Sequence, residues 1–133
     1  ARESGALAKL ERPLKLGIAG RMGNGHQWWS WISLRDEVRA LRHLIEIETI
    51  EGPVNLVAPN TTRNEEFIRT AGSVLGRPTV LPIPSFGVRT LLGEMGEALL
   101  LASTRVVPER LLKSGFTFKD AELEPTLREL FQR

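Results

Sequence analysis

Cysteine and tyrosine are both absent from this chain. Without cysteine there are no disulfides, no thiolate nucleophile and no cysteine-bound zinc. Without tyrosine there is no phenolic acid–base group. Long apolar runs are missing too: the longest, residues 98–102, is far too short to span a bilayer. No leader pattern opens the chain, since Arg2 and Glu3 precede a short amphipathic segment. The two histidines, His26 and His43, lie in different segments, so no metal site is expected. Charge of one sign is scarce: 18 basic residues face 16 acidic ones, for a net +2. That weak excess is spread along the chain and gives only one partial basic stripe, which disfavours nucleic acid as a partner. What remains is the composition of one globular domain, with 41% hydrophobic residues over 133 positions, expected in the cytoplasm.

The periodicity predicts a helix-rich α/β chain. A short helix is expected over 5–11, capped by Ser4 and ended by Pro13, followed by a glycine-rich loop over 17–25. Residues 28–32 read as a strand. Ser33 opens a helix with Asp36 as capping-box partner, and Leu34, Val38, Leu41 and Ile45 form its expected buried stripe. Residues 52–53 break the chain, and 54–58 read as a strand buried on both faces. Thr62 with Glu65 is expected to cap a helix whose stripe is Phe67, Ile68, Ala71, Val74 and Leu75, ended by Gly76. Residues 79–82 read as extended. A helix over 85–101, with Val88, Leu91, Leu92, Met95 and Leu99 as its stripe, should break or kink at Gly93 and Gly96. A short helix starting at Pro108 and closed by Gly115 follows, then a last helix carrying Leu123, Leu127, Leu130 and Phe131. Strands this few and short make a poor sheet alone, so part of a larger sheet is expected to be missing.

The glycine loop invites a phosphate-binding reading, but a dinucleotide fingerprint follows a strand and opens a helix, and this loop does neither. A shaped loop at a pocket edge is the better reading. Trp28, Trp29 and Trp31 are all of the tryptophans; in a strand, Trp29 and Trp31 share one face and Trp28 takes the other. With the pair as core, Trp28 is free to form a pocket wall beside Asn24 and Gln27, whose amides suit a small polar ligand. Arg35, Arg39 and Arg42 form a helical stripe that reads as a solvated face, with Arg42 and Glu46 as a surface ion pair. No Ser-His-acid set can be assembled.

In order along the chain, residues 4–9 (SGALAK), 23–36 (GNGHQWWSWISLRD), 52–60 (GPVNLVAPN), 64–67 (NEEF), 77–78 (RP), 92–95 (LGEM), 105–112 (RVVPERLL) and 115–118 (GFTF) resemble an NAD(P)-dependent epimerase/dehydratase-like family of the extended, or atypical, short-chain dehydrogenases. The final stretch is similar to the C-terminal domain of unknown function of that subgroup. The resemblance implies a C-terminal fragment of a Rossmann-type protein, with residues 1–60 contributing elements to a missing Rossmann half and 61–133 forming a helical C-terminal domain. It also places Arg105 at a family motif position, where its fork would offer a carboxylate or phosphate a two-pronged contact; an ion pair with Glu94 or Glu97 is the equal alternative. The subgroup usually carries His at the position of Ser33, an acid at that of Arg35, and the wider class often an Arg at that of Trp29.

The resemblance implies the substrate-binding portion of an NAD(P)-dependent nucleoside-diphosphate-sugar epimerase/dehydratase-like oxidoreductase. The dinucleotide fingerprint and catalytic Tyr-x-x-x-Lys of the family would lie upstream, so no catalytic residue, no cofactor-binding residue and no turnover are expected in this chain. NAD(P) is expected in the longer parent. The expected substrate-binding residues are Asn24, Gln27, Trp28 and Arg105. The expected partners are a small-molecule substrate and the missing Rossmann half, with a homodimer as one way of hiding exposed apolar surface. The alternative is a non-catalytic interaction or regulatory module, in line with relatives labelled as cell-division inhibitors.

Overall fold

The computed structural model describes residues 6–47, 54–103 and 105–132. Ser4 and residues 52–53 lie outside the described residues. The first helix, α1 (Ala6–Lys15), passes through Pro13 rather than ending before it. A proline there removes one donor, but Leu10 and Leu14 on the inner face are buried to 3% and 0% exposure, and that burial offsets the lost bond. The helix closes just beyond its end, where Leu16 N donates to the Arg12 carbonyl and Gly17 takes a positive φ.

The expected strand over 28–32 is two residues long. β1 (Trp28–Trp29) pairs antiparallel with β2 (Thr62–Arg63), Trp28 opposite Arg63 and Trp29 opposite Thr62. Two isolated bridges, Gly20 with Val80 and Met22 with Ile83, tie the glycine loop to the extended 79–83 segment. Residues 54–58 form no strand. They carry no regular secondary structure and are tied to β1's continuation by the Ala58 N–H on the Trp31 carbonyl at 2.6 Å. A strand needs a neighbour to exchange bonds with, and no strand lies beside this segment among the described residues.

Helix α2 (Leu34–Glu46) begins where expected, with Ser33 Oγ accepting from the Asp36 N–H. Its orientation is the reverse of the expected one. Leu34, Val38, Leu41 and Ile45 are 42%, 51%, 47% and 82% exposed, whereas Asp36 and Ala40 are fully buried. The inward face is Asp36, Ala40 and Leu44, and the apolar stripe points to solvent.

Thr62 belongs to β2, so the third helix, α3 (Asn64–Leu75), starts without a side-chain cap. Its inner stripe is as expected, with Phe67, Ile68 and Ala71 buried and Gly76 closing it in the left-handed region. Helix α4 (Ser85–Leu101) kinks at Gly93, whose φ of 77° and ψ of 178° only glycine adopts without strain. The kink resets the helical phase: Val88 before it is buried, while Met95 after it is 76% exposed. Helices α5 (Glu109–Lys113) and α6 (Leu123–Phe131) complete the chain.

The main core joins Leu10 and Leu14 of α1, Met22, Phe67 and Ile68 of α3, Val88 and Leu100 of α4, and Leu123 and Leu127 of α6. It therefore draws on segments before and after residue 60. A second cluster, Ala40, Leu111 and Phe116, lies under α2 with Val54, Leu56 and Phe118 packed against it. No helix among the described residues is long and apolar enough to cross a membrane.

Candidate functional site

The glycine loop is held by its own backbone. Gly23 N donates to the Ile83 carbonyl, Gly25 N to the Met22 carbonyl, and the Gly25 carbonyl accepts from Glu65 N. Gly25 has a φ of 73°, and a side chain there would press on Arg21 and Glu65 at about 3 Å, so the loop seats the start of α3 tightly. The Gly23 and Gly25 amides are thus engaged within the chain, and among the described residues no strand precedes the loop and no helix directly follows it, unlike a dinucleotide fingerprint. Among the described residues no group of three or more His, Asp or Glu side chains is placed to hold a metal ion.

The four expected site residues divide into two sets. Asn24 is exposed and shapes the turn, its Oδ1 accepting from His26 N at 2.8 Å. Gln27 is turned inward and is 8% exposed; its Nε2 donates to the Leu100 carbonyl at 3.0 Å and to the Met22 carbonyl at 3.3 Å. Beside it, Trp29 Nε1 donates to the same Leu100 carbonyl at 2.9 Å, and Asn64 Oδ1 accepts from Met22 N at 2.8 Å. These buried amides bind loop, α3 and the end of α4 into one unit. Trp29 also meets Phe67 edge-on at 5.1 Å, and Trp31 packs on the same core.

Trp28 and Arg105 do come together, on the outer face of β1. Asn64 N donates to the Gln27 carbonyl, which makes the neighbouring Trp28–Arg63 pair a non-hydrogen-bonded one, with side chains at their closest approach. The Trp28 N–H therefore points away from β2, and donates to Ser103 Oγ at 3.1 Å. Val106 N donates to Ser30 Oγ at 3.2 Å, so Ser103 and Val106 both lie on the other edge of β1. Trp28 is thus flanked from both sides. The Arg63 guanidinium stacks 4.6 Å from its ring centroid, coming from β2, and that of Arg105 4.4 Å away, coming from the opposite edge. Neither Glu94 nor Glu97 is paired with Arg105; Glu94 pairs with Arg89 instead, at 2.6 Å. Arg63 was not among the expected residues. Its signal lay only in strand pairing, which a two-residue strand hides.

A second polar constellation, also not expected, clamps the C-terminal segment to α2. Asp120 accepts a two-pronged contact from Arg35, at 2.6 and 3.1 Å, and a hydrogen bond from Ser33 Oγ at 2.6 Å. Asp36 does not complete a capping box; its carboxylate accepts from Lys119 N and Asp120 N, at 3.1 and 2.7 Å, and from Arg39 at 2.6 Å. Arg35 and Arg39 thus act as clamps, whereas Arg42 stays on the exposed face, and the expected pair with Glu46 is not among the ion pairs of the described residues. Partial burial by itself raises the Asp120 pKa, but hydrogen bonds from Arg35 and Ser33, with the charges of Arg35 and Arg39, outweigh it and hold the pKa below its ordinary value. Beside this clamp a shallow groove runs between Trp31, Phe67, Leu123, Leu127 and Leu130.

Residues 83–130 match the family model described as Domain of unknown function (DUF1731). The crystal structure of the human epimerase family protein SDR39U1 with NADPH superposes with a TM-score of 0.89 at 35% identity, over 97% of this chain and 44% of that one. The chain corresponds to the C-terminal part of an epimerase-family protein. An epimerase family protein of Mycobacterium leprae is 42% identical over 118 residues, covering 89% of this chain and 38% of that protein. The Bos taurus SDR39U1 protein is 38% identical over 130 residues, covering 97% and 44%. The chain thus spans less than half the length of these epimerase-family relatives. The helix-rich fold is that of the matched part of the human protein.

Proposed function

We propose that this chain is the substrate-side portion of an NAD(P)-dependent epimerase-like protein, and that it neither holds the dinucleotide nor turns over substrate by itself. One observation carries the reading: the apolar stripe of α2 faces solvent in a chain whose fold matches under half of an NADPH-bound protein. Four large aliphatic side chains on one exposed helix face are what an interface with a further unit requires. Residues 54–58, without regular structure or a strand neighbour among the described residues, suit addition to the edge of a sheet in that unit. Trp28 and Arg105 then belong to the surface turned toward a small-molecule substrate, while Asn24 and Gln27 support it from the loop and from within. Standing alone, the chain hides the α2 stripe by self-association, as a homodimer.

Two measurements test this. Purified alone, the chain is expected to show no saturable NADPH or NADH binding and no nucleotide-dependent turnover, whereas a longer protein carrying it behind a nucleotide-binding unit binds NADPH. Val38→Glu with Leu41→Glu is expected to leave the helical circular dichroism of the chain intact and make it monomeric by light scattering. Saturable dinucleotide binding by the chain alone, or a strict monomer before substitution, overturns the proposal.

A further inference from the structure

Arg35, Arg39, Arg89 and Arg128 each have a carboxylate partner in this fold. Arg63 and Arg105 have none among the described residues, yet they are the two guanidiniums placed against one half-buried indole. Their carbons stand at most 9.0 Å apart, the two centroid distances end to end. Two like charges held that close, with no carboxylate paired to either among the described residues, are an arrangement that an anion relieves.

We infer that Arg63, Trp28 and Arg105 form a binding site for the anionic group of a small molecule, a phosphate or carboxylate group that bridges both guanidiniums across the exposed edge of the indole. The inference rests on the reading of this face as the substrate side, and adds to it a residue and a ligand chemistry. Stacking uses the face of a guanidinium and leaves its in-plane N–H donors free, the donors that grip phosphate and carboxylate oxygens in pairs. Arg63 has committed one of its donors, NH1, to the His26 carbonyl at 3.0 Å, which fixes its orientation. Arg105 is carried by a segment bonded to β1 on both sides of it, through Ser103 and through Val106. The donors are thus pre-positioned, so little ordering remains to be done when the anion arrives. The apolar edge of Trp28 between them suits a ligand with a ring or carbon skeleton next to its charged end.

The test uses the isotope-labelled chain, with sodium pyrophosphate, inorganic phosphate and citrate as probes at constant ionic strength. Trp29 and Trp31 are internal controls, because their indole N–H groups are bonded to the carbonyls of Leu100 and Asn60. Saturable shifts are expected at the Trp28 indole and at residues 63 and 105, with Trp29 and Trp31 still. Arg63→Gln and Arg105→Gln each weaken binding about tenfold, and Arg105→Lys, which keeps the charge but not the fork, falls between. Preference for pyrophosphate identifies a phosphorylated ligand and preference for citrate a polycarboxylate; either supports the site. No saturable shift at Trp28 at millimolar probe, or equal affinity in the variants with their circular dichroism unchanged, overturns it. Dinucleotide binding by the chain alone would sink the functional reading and leave this titration unaffected.

Discussion

Replacing Gln27 by alanine removes an amide that sits inside the protein, at 8% exposure, with two backbone carbonyls as acceptors. The two hydrogen bonds are worth about 1 kcal/mol each, net of water. Alanine keeps Cβ, so one buried methylene, Cγ, is lost and adds about 0.8 kcal/mol. Neither carbonyl is orphaned: Met22 O still accepts from Gly25 N, and Leu100 O from Trp29 Nε1. No desolvation penalty is therefore added, and the loss is about 3 kcal/mol. With an unfolding entropy of about 2.1 cal/mol/K per residue, this lowers the melting temperature by about 10 °C, read by calorimetry or thermal circular dichroism. Asn24→Ala is the control. That side chain is exposed and accepts a single local bond, so its loss should cost under about 1 kcal/mol and about 3 °C. A Gln27→Ala melting point within about 2 °C of the parent would refute the assignment of Gln27 to the interior and return it to the ligand surface.

Asp36→Ala should be costly, about 3 kcal/mol by urea unfolding, because it leaves Arg39 and the buried N–H of Asp120 without their shared acceptor. The Asp120 pKa lies below its unfolded value, so the unfolded chain takes up the proton first as pH falls. The stability this contributes is fully present above the unfolded pKa and is lost as pH drops through the folded one; Asp120→Asn should flatten the acid limb of a stability–pH curve. Gly93→Ala forces a β-carbon into a backbone region reserved for glycine and should cost about 1–3 kcal/mol, although open space surrounds the site. A melting point unchanged by that substitution would mean that α4 straightens without loss.

The elements whose signals are local were legible in the sequence. The buried stripe of α3, its end at Gly76, the kink at Gly93 and the apolar face of α6 each depend on residues within a few turns of one another, where 3.6-residue periodicity and glycine's backbone freedom act. Strand alternation likewise separated Trp28 from Trp29 and Trp31. The epimerase-family resemblance was legible too, because it is carried by the order of motifs. The direction in which α2 faces was not. Periodicity reports that an apolar stripe exists, but burial depends on what packs against it. Here Asp36 and Ala40 face the chain's own second cluster, and the stripe is left to another surface. Asp36 looked like half of a capping box until tertiary structure brought the backbone of residues 119 and 120 to it, across more than 80 positions. Gln27 and Arg105 looked equally suited to a ligand. One was drawn inward by carbonyls at Met22 and Leu100, and the other was set beside Trp28 and Arg63 by a segment bonded to β1. A polar side chain's role follows from the nearest unsatisfied partner in space, and for these residues that partner is distant in sequence.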